Sequence, residues 1–440
     1  MSAADAFQKY FTKHIHEKEC HTLDFYLAHG GYEGAKKALR DWKPDPLIDE
    51  VKASNLRGRG GAGFPTGVKW SFVPKQTPKP KYLAVNADES EPGTFKDRVI
   101  MEKNPHQLLE GIIICCYAVG IRTAYIYIRG EYVFATRRLE KAIEEAYAKG
   151  ILGQRCLGVD FQLDVTVHRG AGAYICGEET GMLTSLEGER GQPKLKPPFP
   201  AVEGLFGCPT VVNNVETLAN LPLILEIGSA AYKKIGPEKS PGPKLFCVSG
   251  HVEKPATIEA PMGVNLLELI DRHCGGVWKG RRLKAVIPGG SSAHVLAASE
   301  CNVAMDIESL AAAGTMLGSA GVIVMDDQTC MVNALLNIMR FYHHESCGQC
   351  TPCREGTGWL EKIVHRIAYG HGRIEDLALI DDVCDRMVGK TICVLADAAA
   401  FPAWSIIRKF RDEFIHCIEH GGSPAVKKRH PERIGGGLHV

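Results

Sequence analysis

Three thiols stand within seven residues, at Cys347, Cys350 and Cys353, in the run Cys-Gly-Gln-Cys-Thr-Pro-Cys. A single backbone loop can wrap such a triplet around three corners of a cubane, which is the ligand pattern of a 4Fe-4S centre. Zinc, the competing metal, usually takes two separated cysteine pairs instead of three close thiols. Two-cluster ferredoxins continue the run with a fourth cysteine and a proline, whereas Arg354, Glu355 and Gly356 follow Cys353 here. One cluster with a distant fourth ligand is expected. Cys384 shares a helical face with Leu377, Ile380 and Met387 and reads as core. Cys417, between His416 and Ile418 on a predicted helix, also reads as structural. Cys393 follows Gly389-Lys390, where a helix should end, so it lies on a loop able to approach a metal and is assigned as the fourth ligand. His343 and His344 read as bystanders beside the cluster.

Two glycine-rich loops offer a second chemistry. Gly58-Arg-Gly60-Gly61-Ala-Gly63 has the spacing of the dinucleotide fingerprint, but that motif needs a strand before it and a helix after it. Here a helix precedes and Phe64-Pro65 follows, so only the general property remains: glycines let backbone N–H groups approach phosphate. Arg57, Arg59 and Lys69 are the expected counter-charges. Next, Asn86-Ala87-Asp88-Glu89-Ser90-Glu91-Pro92 follows a predicted buried strand, and α/β sheets bind ligands beyond the carboxyl ends of their strands. Three acids in four residues suit hydrogen bonding to ribose, ribityl or nicotinamide groups better than magnesium, because no Walker lysine accompanies them. The loop from Gly170 to Gly177, followed by Glu178 and Glu179, repeats the combination of glycines and paired carboxylates. Two such loops suggest two nucleotides.

The elements that must position these groups fall into three regions, as 440 residues imply. Helical pieces to about residue 53 precede strands at 82–85, 124–128 and 161–167 and helices at 107–119 and 134–147, an alternation that predicts a three-layer α/β domain. Short strands at 245–248, 256–258, 285–287 and 322–325 around a helix at 266–273 predict a small α+β domain. Helices at 359–367 and 374–387 predict a terminal helical bundle, with the basic stretch 427–440 expected to be disordered.

Composition excludes several classes. Basic and acidic residues nearly cancel, 52 against 51, so no whole-chain field attracts nucleic acid. The first ten residues lack the basic start and apolar centre of a signal peptide. The apolar run 108–120 falls well short of the ~20 residues of a membrane span. Sixteen cysteines spread along so long a chain read as reduced thiols, with any cluster of them pointing to metal.

Taken together, the segments Leu56 to Gly67, Asn86 to Gly93, Gly170 to Thr180, Asn213 to Leu218 and Glu345 to Gly356 make the chain resemble the NADH-binding flavoprotein subunit of NADH:quinone oxidoreductase, respiratory complex I. The resemblance covers nearly the whole chain. It implies an FMN- and NADH-binding α/β domain at 1–240, a ubiquitin-like SLBB domain at 241–330 and a helical 4Fe-4S domain at 331–440. Carried over by motif, Gly61, Gly63, Lys69, Asn86, Asp88, Glu89, Tyr174, Gly177, Asn213, Asn214 and Thr217 would form the FMN shell. Phe64, Phe72 and Phe199 would sandwich the adenine, although singly each would be read as core. Glu91, Glu179 and Lys196 would contact the rest of the dinucleotide, and Glu178 joins the cofactor-binding set. The implied chemistry is hydride transfer from NADH to FMN, with no protein acid or base, followed by single-electron transfer to the cluster. Implied partners are a 2Fe-2S thioredoxin-like subunit and a larger iron-sulfur subunit, in the cytoplasmic peripheral arm of an inner-membrane complex. The nearest rival is the diaphorase subunit of a soluble NAD-linked hydrogenase or formate dehydrogenase. Such chains commonly carry extra ferredoxin-like or thioredoxin-like modules, and no second cysteine run of that kind is present here. A non-catalytic carrier holding metal on the triplet is the rival from another class, and the two glycine-acid loops argue against it.

Overall fold

The computed structural model describes residues 7–429. Four strands, β1 (Tyr82–Ala87), β2 (Thr123–Ile128), β3 (Asp164–Arg169) and β4 (Thr210–Asn214), form an all-parallel sheet in the order β3-β2-β1-β4. Leu83, Ala84 and Val85 are all fully buried, which is why β1 reads as a continuous apolar run and not as an alternating one. One face of the sheet, with Leu83, Val85, Ile126 and Val211, packs on helices Pro105–Val119 and Val133–Ala148. The other face, with Ala84, Tyr127 and Val212, packs with Met182 and Leu183 of helix Glu179–Leu186 and runs on into the C-terminal helices. The three layers expected from the alternation are therefore present, but part of the third is supplied by the far end of the chain. Because β2 and β3 lie on one side of β1 and β4 on the other, a crevice opens at the carboxyl ends of β1 and β4, the switch point where such sheets take ligands.

The predicted strand at 161–167 is displaced. It starts at Asp164 and continues to Arg169, because Phe161 instead closes a turn in which its carbonyl accepts from Cys156 N at 2.8 Å. Strand β4 had no expectation of its own, since its polar Asn213 and Asn214 hide a short apolar run.

Five further strands, β5 (Pro243–Gly250), β6 (Ala256–Pro261), β7 (Leu283–Ile287), β8 (Leu296–Ala297) and β9 (Gly321–Asp326), make a mixed sheet in the order β6-β5-β9-β7-β8. Phe246, Val248, Ile270, Val286 and Val324 form its separate core. Six helices follow: Met331–Glu345, Thr351–Ala368, Asp376–Met387, Leu395–Lys409, Arg411–Glu419 and Pro424–Arg429. The second begins two turns before the predicted 359, with Pro352 in its first turn where its missing N–H costs nothing. The last one corrects the expected disorder at 427–429, since Pro424 starts a helix and Val426 is buried. The remainder of that expectation, 430–440, lies outside the described residues.

The two sheets are joined through a buried charge cluster. Glu216 accepts from Lys244 Nζ at 2.6 Å and from Leu245 N at 2.7 Å, and it pairs with Lys96 Nζ at 2.8 Å. All three side chains are essentially sealed from solvent. Burial alone would push the Glu216 carboxyl up, but Lys244 and Lys96 outweigh it and hold it at about 2. Burial brings the Lys244 ammonium down to about 8 in spite of Glu216. Removing one partner of such a set strands the other charges, so Glu216→Gln is expected to cost about 3–5 kcal/mol. Glu308→Gln, which breaks the half-exposed 3.4 Å pair with Arg57, should cost under about 1 kcal/mol. Urea unfolding of both variants measures the contrast.

Candidate nucleotide and cluster site

The first glycine loop folds back on itself beside the crevice, with Gly58 N donating to Phe64 O at 2.9 Å and Thr66 N to Leu56 O at 2.8 Å. A Cβ on Gly60 would stand 3.0 Å from Asn214 Cβ, so the loop lies close against the end of β4 and a side chain there would press on Asn214. Gly61, at φ +135°, would carry its Cβ into open space. Arg59 N donates to Thr217 Oγ1 at 2.8 Å, pinning the loop to helix Val215–Ala219. Asn214 caps that helix and donates to Asp97 at 2.8 Å, while Asn213 accepts from Trp70 Nε1 at 2.8 Å. Of the three expected counter-charges, two are corrected. The Arg59 guanidinium is buried against Tyr232 and Pro241 O, and Arg57 braces Gly63 O and Glu308. Lys69 remains, 3.7 Å from Glu179, with its pKa lowered by burial.

At the end of β1, Asn86 Nδ2 donates to Gly177 O at 2.8 Å and so ties the two loops together. Asp88 is only 8% exposed, and its Oδ2 is buried without a partner. Burial lifts this carboxyl to about 7. A Cβ on Gly177 would stand 3.4 Å from that oxygen, so the glycine keeps the approach to it clear. A buried acceptor left unpaired costs about 1–3 kcal/mol and calls for a donor, which ribityl hydroxyls or flavin N–H groups would supply. In this respect the residues present fit FMN. Glu89 behaves differently: its carboxylate accepts from Asp97 N, Arg98 N and Tyr132 Oη, and so serves the start of helix Asp97–Lys103. Glu91 accepts from Tyr174 Oη at 2.6 Å and from Ser292 N at 2.8 Å.

Glu178 caps helix Glu179–Leu186 by accepting from Thr180 N and Gly181 N, and it also meets Lys196 at 3.1 Å. Glu179 bonds Lys196 at 2.8 Å. Burial opposes its ionisation, but Lys69 and Lys196 together hold its pKa below the ordinary value. Phe64, Phe72 and Phe199 are 42, 55 and 58% exposed, and the first two rings stand 6.2 Å apart. None is core, the reading each would receive if taken alone.

Cys347 and Cys350 lie on the turn between helices Met331–Glu345 and Thr351–Ala368, and Cys353 lies in the first turn of the second. Cys393 sits on the turn after Asp376–Met387, where Ile392 N points at Cys350 Sγ at 3.5 Å. Burial pushes the Cys393 thiol up to about 12, with Cys353 and Cys347 adding to the shift. Among the described residues, no three of these four sulfurs lie within 4.8 Å of one another. Cys384 is fully buried in the helical core, and Cys417 is buried beside Cys330. The contact the sequence did not announce is between the sites. Tyr174 N donates to Glu345 at 3.0 Å, and Arg190 Nη2 donates to Cys347 O at 3.2 Å.

A nucleotide crevice braced against a cysteine turn within one chain is the build of an iron-sulfur flavoprotein dehydrogenase. Family models agree, in order along the chain: Nuo51 FMN-binding domain at 51–223, SLBB domain at 244–324, and NADH-ubiquinone oxidoreductase-F iron-sulfur binding region at 333–417. A relative in Rhizobium meliloti, its second NADH-quinone oxidoreductase F subunit, is 56% identical, over 95% of this chain and 99% of its own length. The NADH-quinone oxidoreductase F subunit of Streptomyces coelicolor is 52% identical, over 93% and 90%. The NAD+-reducing [NiFe]-hydrogenase in its H2-reduced state superposes with a TM-score of 0.81 at 35% identity, and the alignment covers 90% of this chain and 65% of that one. The chain belongs to the family of NADH-quinone oxidoreductase F subunits.

Cys393→Ala should lose the iron and acid-labile sulfide, whereas Cys384→Ala should keep both and cost about 1–2 kcal/mol of stability. In FMN-free protein, the raised Asp88 pKa means the folded state holds that proton more tightly than the unfolded one, so stability should fall as pH rises from about 4 through 7. Asp88→Asn should lessen that slope, leaving the share of Glu89, which burial also lifts to about 7, and should add about 1–3 kcal/mol above pH 7 while weakening FMN retention. Melting at pH 5 and 8 measures it.

Proposed function

We propose that the chain oxidises NADH at an FMN held in the crevice between β1 and β4 and delivers the electrons to a 4Fe-4S cluster on Cys347, Cys350, Cys353 and Cys393. It is the electron-input subunit of an NADH:quinone oxidoreductase. The observation that carries this reading is the direct bracing of the cysteine turn by the second glycine-acid loop, through Tyr174 to Glu345 and Arg190 to Cys347. When bound, FMN supplies two-electron acceptance from NADH with one-electron release, and the cluster supplies single-electron carriage.

The chain's own work is binding and orientation, which is what hydride transfer asks of a protein. Gly61 and Gly63 offer main-chain approach to phosphate, with Lys69 as the nearby cation. Asp88 accepts from the flavin, within a shell completed by Asn86, Glu89, Tyr174, Gly177, Asn213, Asn214 and Thr217. Phe64, Phe72 and Phe199 offer exposed faces to the adenine, while Glu91, Glu179 and Lys196 meet the ribose and nicotinamide side. Glu178 contributes by fixing the helix that carries Glu179. The division 1–240, 241–330 and 331–440 assigns these tasks to an FMN and NADH domain, an SLBB domain and a cluster domain.

The proposed neighbours are a 2Fe-2S thioredoxin-like subunit and a larger iron-sulfur subunit, in the cytoplasmic peripheral arm of an inner-membrane complex. No described helix is long and apolar enough to cross a membrane. The likeness to the NAD+-reducing hydrogenase supports a second reading, a diaphorase subunit of a soluble enzyme. Co-purification of the native complex with or without membranes separates the two.

NADH added to the FMN-loaded chain should bleach the flavin and raise a low-temperature EPR signal of a reduced 4Fe-4S centre. Flavin bleaching without that signal would disconnect the two sites. A carboxylate near the ribose 2′-hydroxyl repels a 2′-phosphate, so Glu179→Gln should shift the kcat/KM ratio of NADH to NADPH toward NADPH by roughly tenfold or more. An unchanged ratio would remove Glu179 from that role.

A further inference from the structure

Away from the crevice, the segment after Thr12 runs to helix Leu23–Ala28 through turns alone, held by short-range bonds such as Glu17 N to His14 O at 2.9 Å and Thr22 N to Glu19 O at 3.0 Å. Two imidazoles and a carboxylate meet across this stretch. Each of His14, Glu17 and His29 places a ligand atom within 4.8 Å of the other two. His14 Nδ1 lies 2.5 Å from Glu17 Oε1, and the His14 and His29 ring centroids are 4.5 Å apart.

The rings are held in place by their surroundings. His29 stacks on Phe25 at 4.0 Å and 24°, and His14 meets the same Phe25 edge-on at 5.6 Å. His29 Nδ1 is engaged by Phe25 O at 2.8 Å, which fixes the tautomer and leaves Nε2 with its lone pair free. A ring nitrogen donating to a main-chain carbonyl while the other stays available is the usual arrangement behind a metal-bound histidine. Glu17 and His29 are exposed, and both histidines line a cavity of about 300 Å³, so water can complete the coordination sphere.

We propose that His14, Glu17 and His29 form a binding site for one divalent transition-metal ion of the zinc class, separate from the iron-sulfur cluster. Two imidazoles with one carboxylate favour zinc and its neighbours over magnesium or calcium, which prefer all-oxygen shells. In the described structure His14 Nδ1 and Glu17 Oε1 share a hydrogen bond and stand closer than two ligands of one zinc would, and rotation of the exposed Glu17 side chain opens room for the ion between them. Bound there, the ion would clip the turn at His14–Glu17 to the end of helix Leu23–Ala28. The irregular stretch between them would gain a cross-link in place of a hydrogen-bond ladder.

The test is equilibrium dialysis of the full holo chain against Zn²⁺, with zinc, iron and FMN counted in the same samples. Counting iron separates zinc at this site from zinc taken up by the cluster cysteines. One zinc per chain is expected, with a Kd at least tenfold weaker in His14→Ala/His29→Ala and in the conservative Glu17→Gln. His416→Ala, which disrupts the stacked His416–His420 pair, should bind zinc as wild type does. Iron, FMN and NADH:ferricyanide activity should be unchanged in all of these variants, which also certifies their folding. Zinc should also slow tryptic cleavage at the exposed Lys18 in wild type and not in Glu17→Gln. No zinc bound to wild type, or equal affinity in wild type and Glu17→Gln, would overturn the proposal.

Discussion

Glu216, sealed between Lys96 and Lys244, is the constraint on which the rest of the architecture leans. It sits in the first turn of the helix that follows β4, two residues after Asn214 and directly before Thr217. Its partners come from the segment after the acidic strand end and from the first strand of the second sheet. A carboxylate in that position can exist only with both ammoniums in place, because an isolated buried charge is prohibitively costly. The crevice wall, the acidic loop and the second sheet are therefore fixed with respect to one another before any ligand arrives.

The second organising fact is that the sheet's rear face has no private covering. Ala84, Tyr127 and Val212 belong to the same apolar cluster as Leu335, Leu360, Ile380 and Ile406 of the C-terminal helices. The helices that carry the cysteines are part of what keeps the nucleotide sheet dry. The distance between the two redox sites is thus set by core packing, which resists deformation, and not by a linker.

Much of this was legible in the residues. The thiol spacing announced a cluster, helical periodicity separated Cys384 from Cys393, and the apolar runs located β1, β2, β5, β7 and β9 within a residue or two. Other features were hidden for physical reasons. Strand β4 is five residues long and ends in two asparagines, so it carries no distinctive period. Arg59 looked like a phosphate ligand because a charge in a glycine loop usually faces solvent, yet long-range partners at Tyr232 and Pro241 draw it inward. Glu89 and Asp88 are adjacent acids with opposite duties, one a helix cap and the other an orphaned acceptor. Only the path of the chain after β1 distinguishes them. The exposure of Phe64, Phe72 and Phe199 is likewise a property of the assembled surface that no single residue type reveals.

Glu91 carries a consequence of its own. One of its oxygens holds the Tyr174 hydroxyl, from the loop that abuts the cluster turn, and the other holds Ser291 and Ser292, from the second sheet's domain. An occupant of the crevice that hydrogen-bonds this carboxylate competes with both. The carboxylate is thus a three-way joint between its own loop, the cluster-facing loop and the second sheet's domain. Loss of this one carboxylate would loosen two neighbouring regions at once.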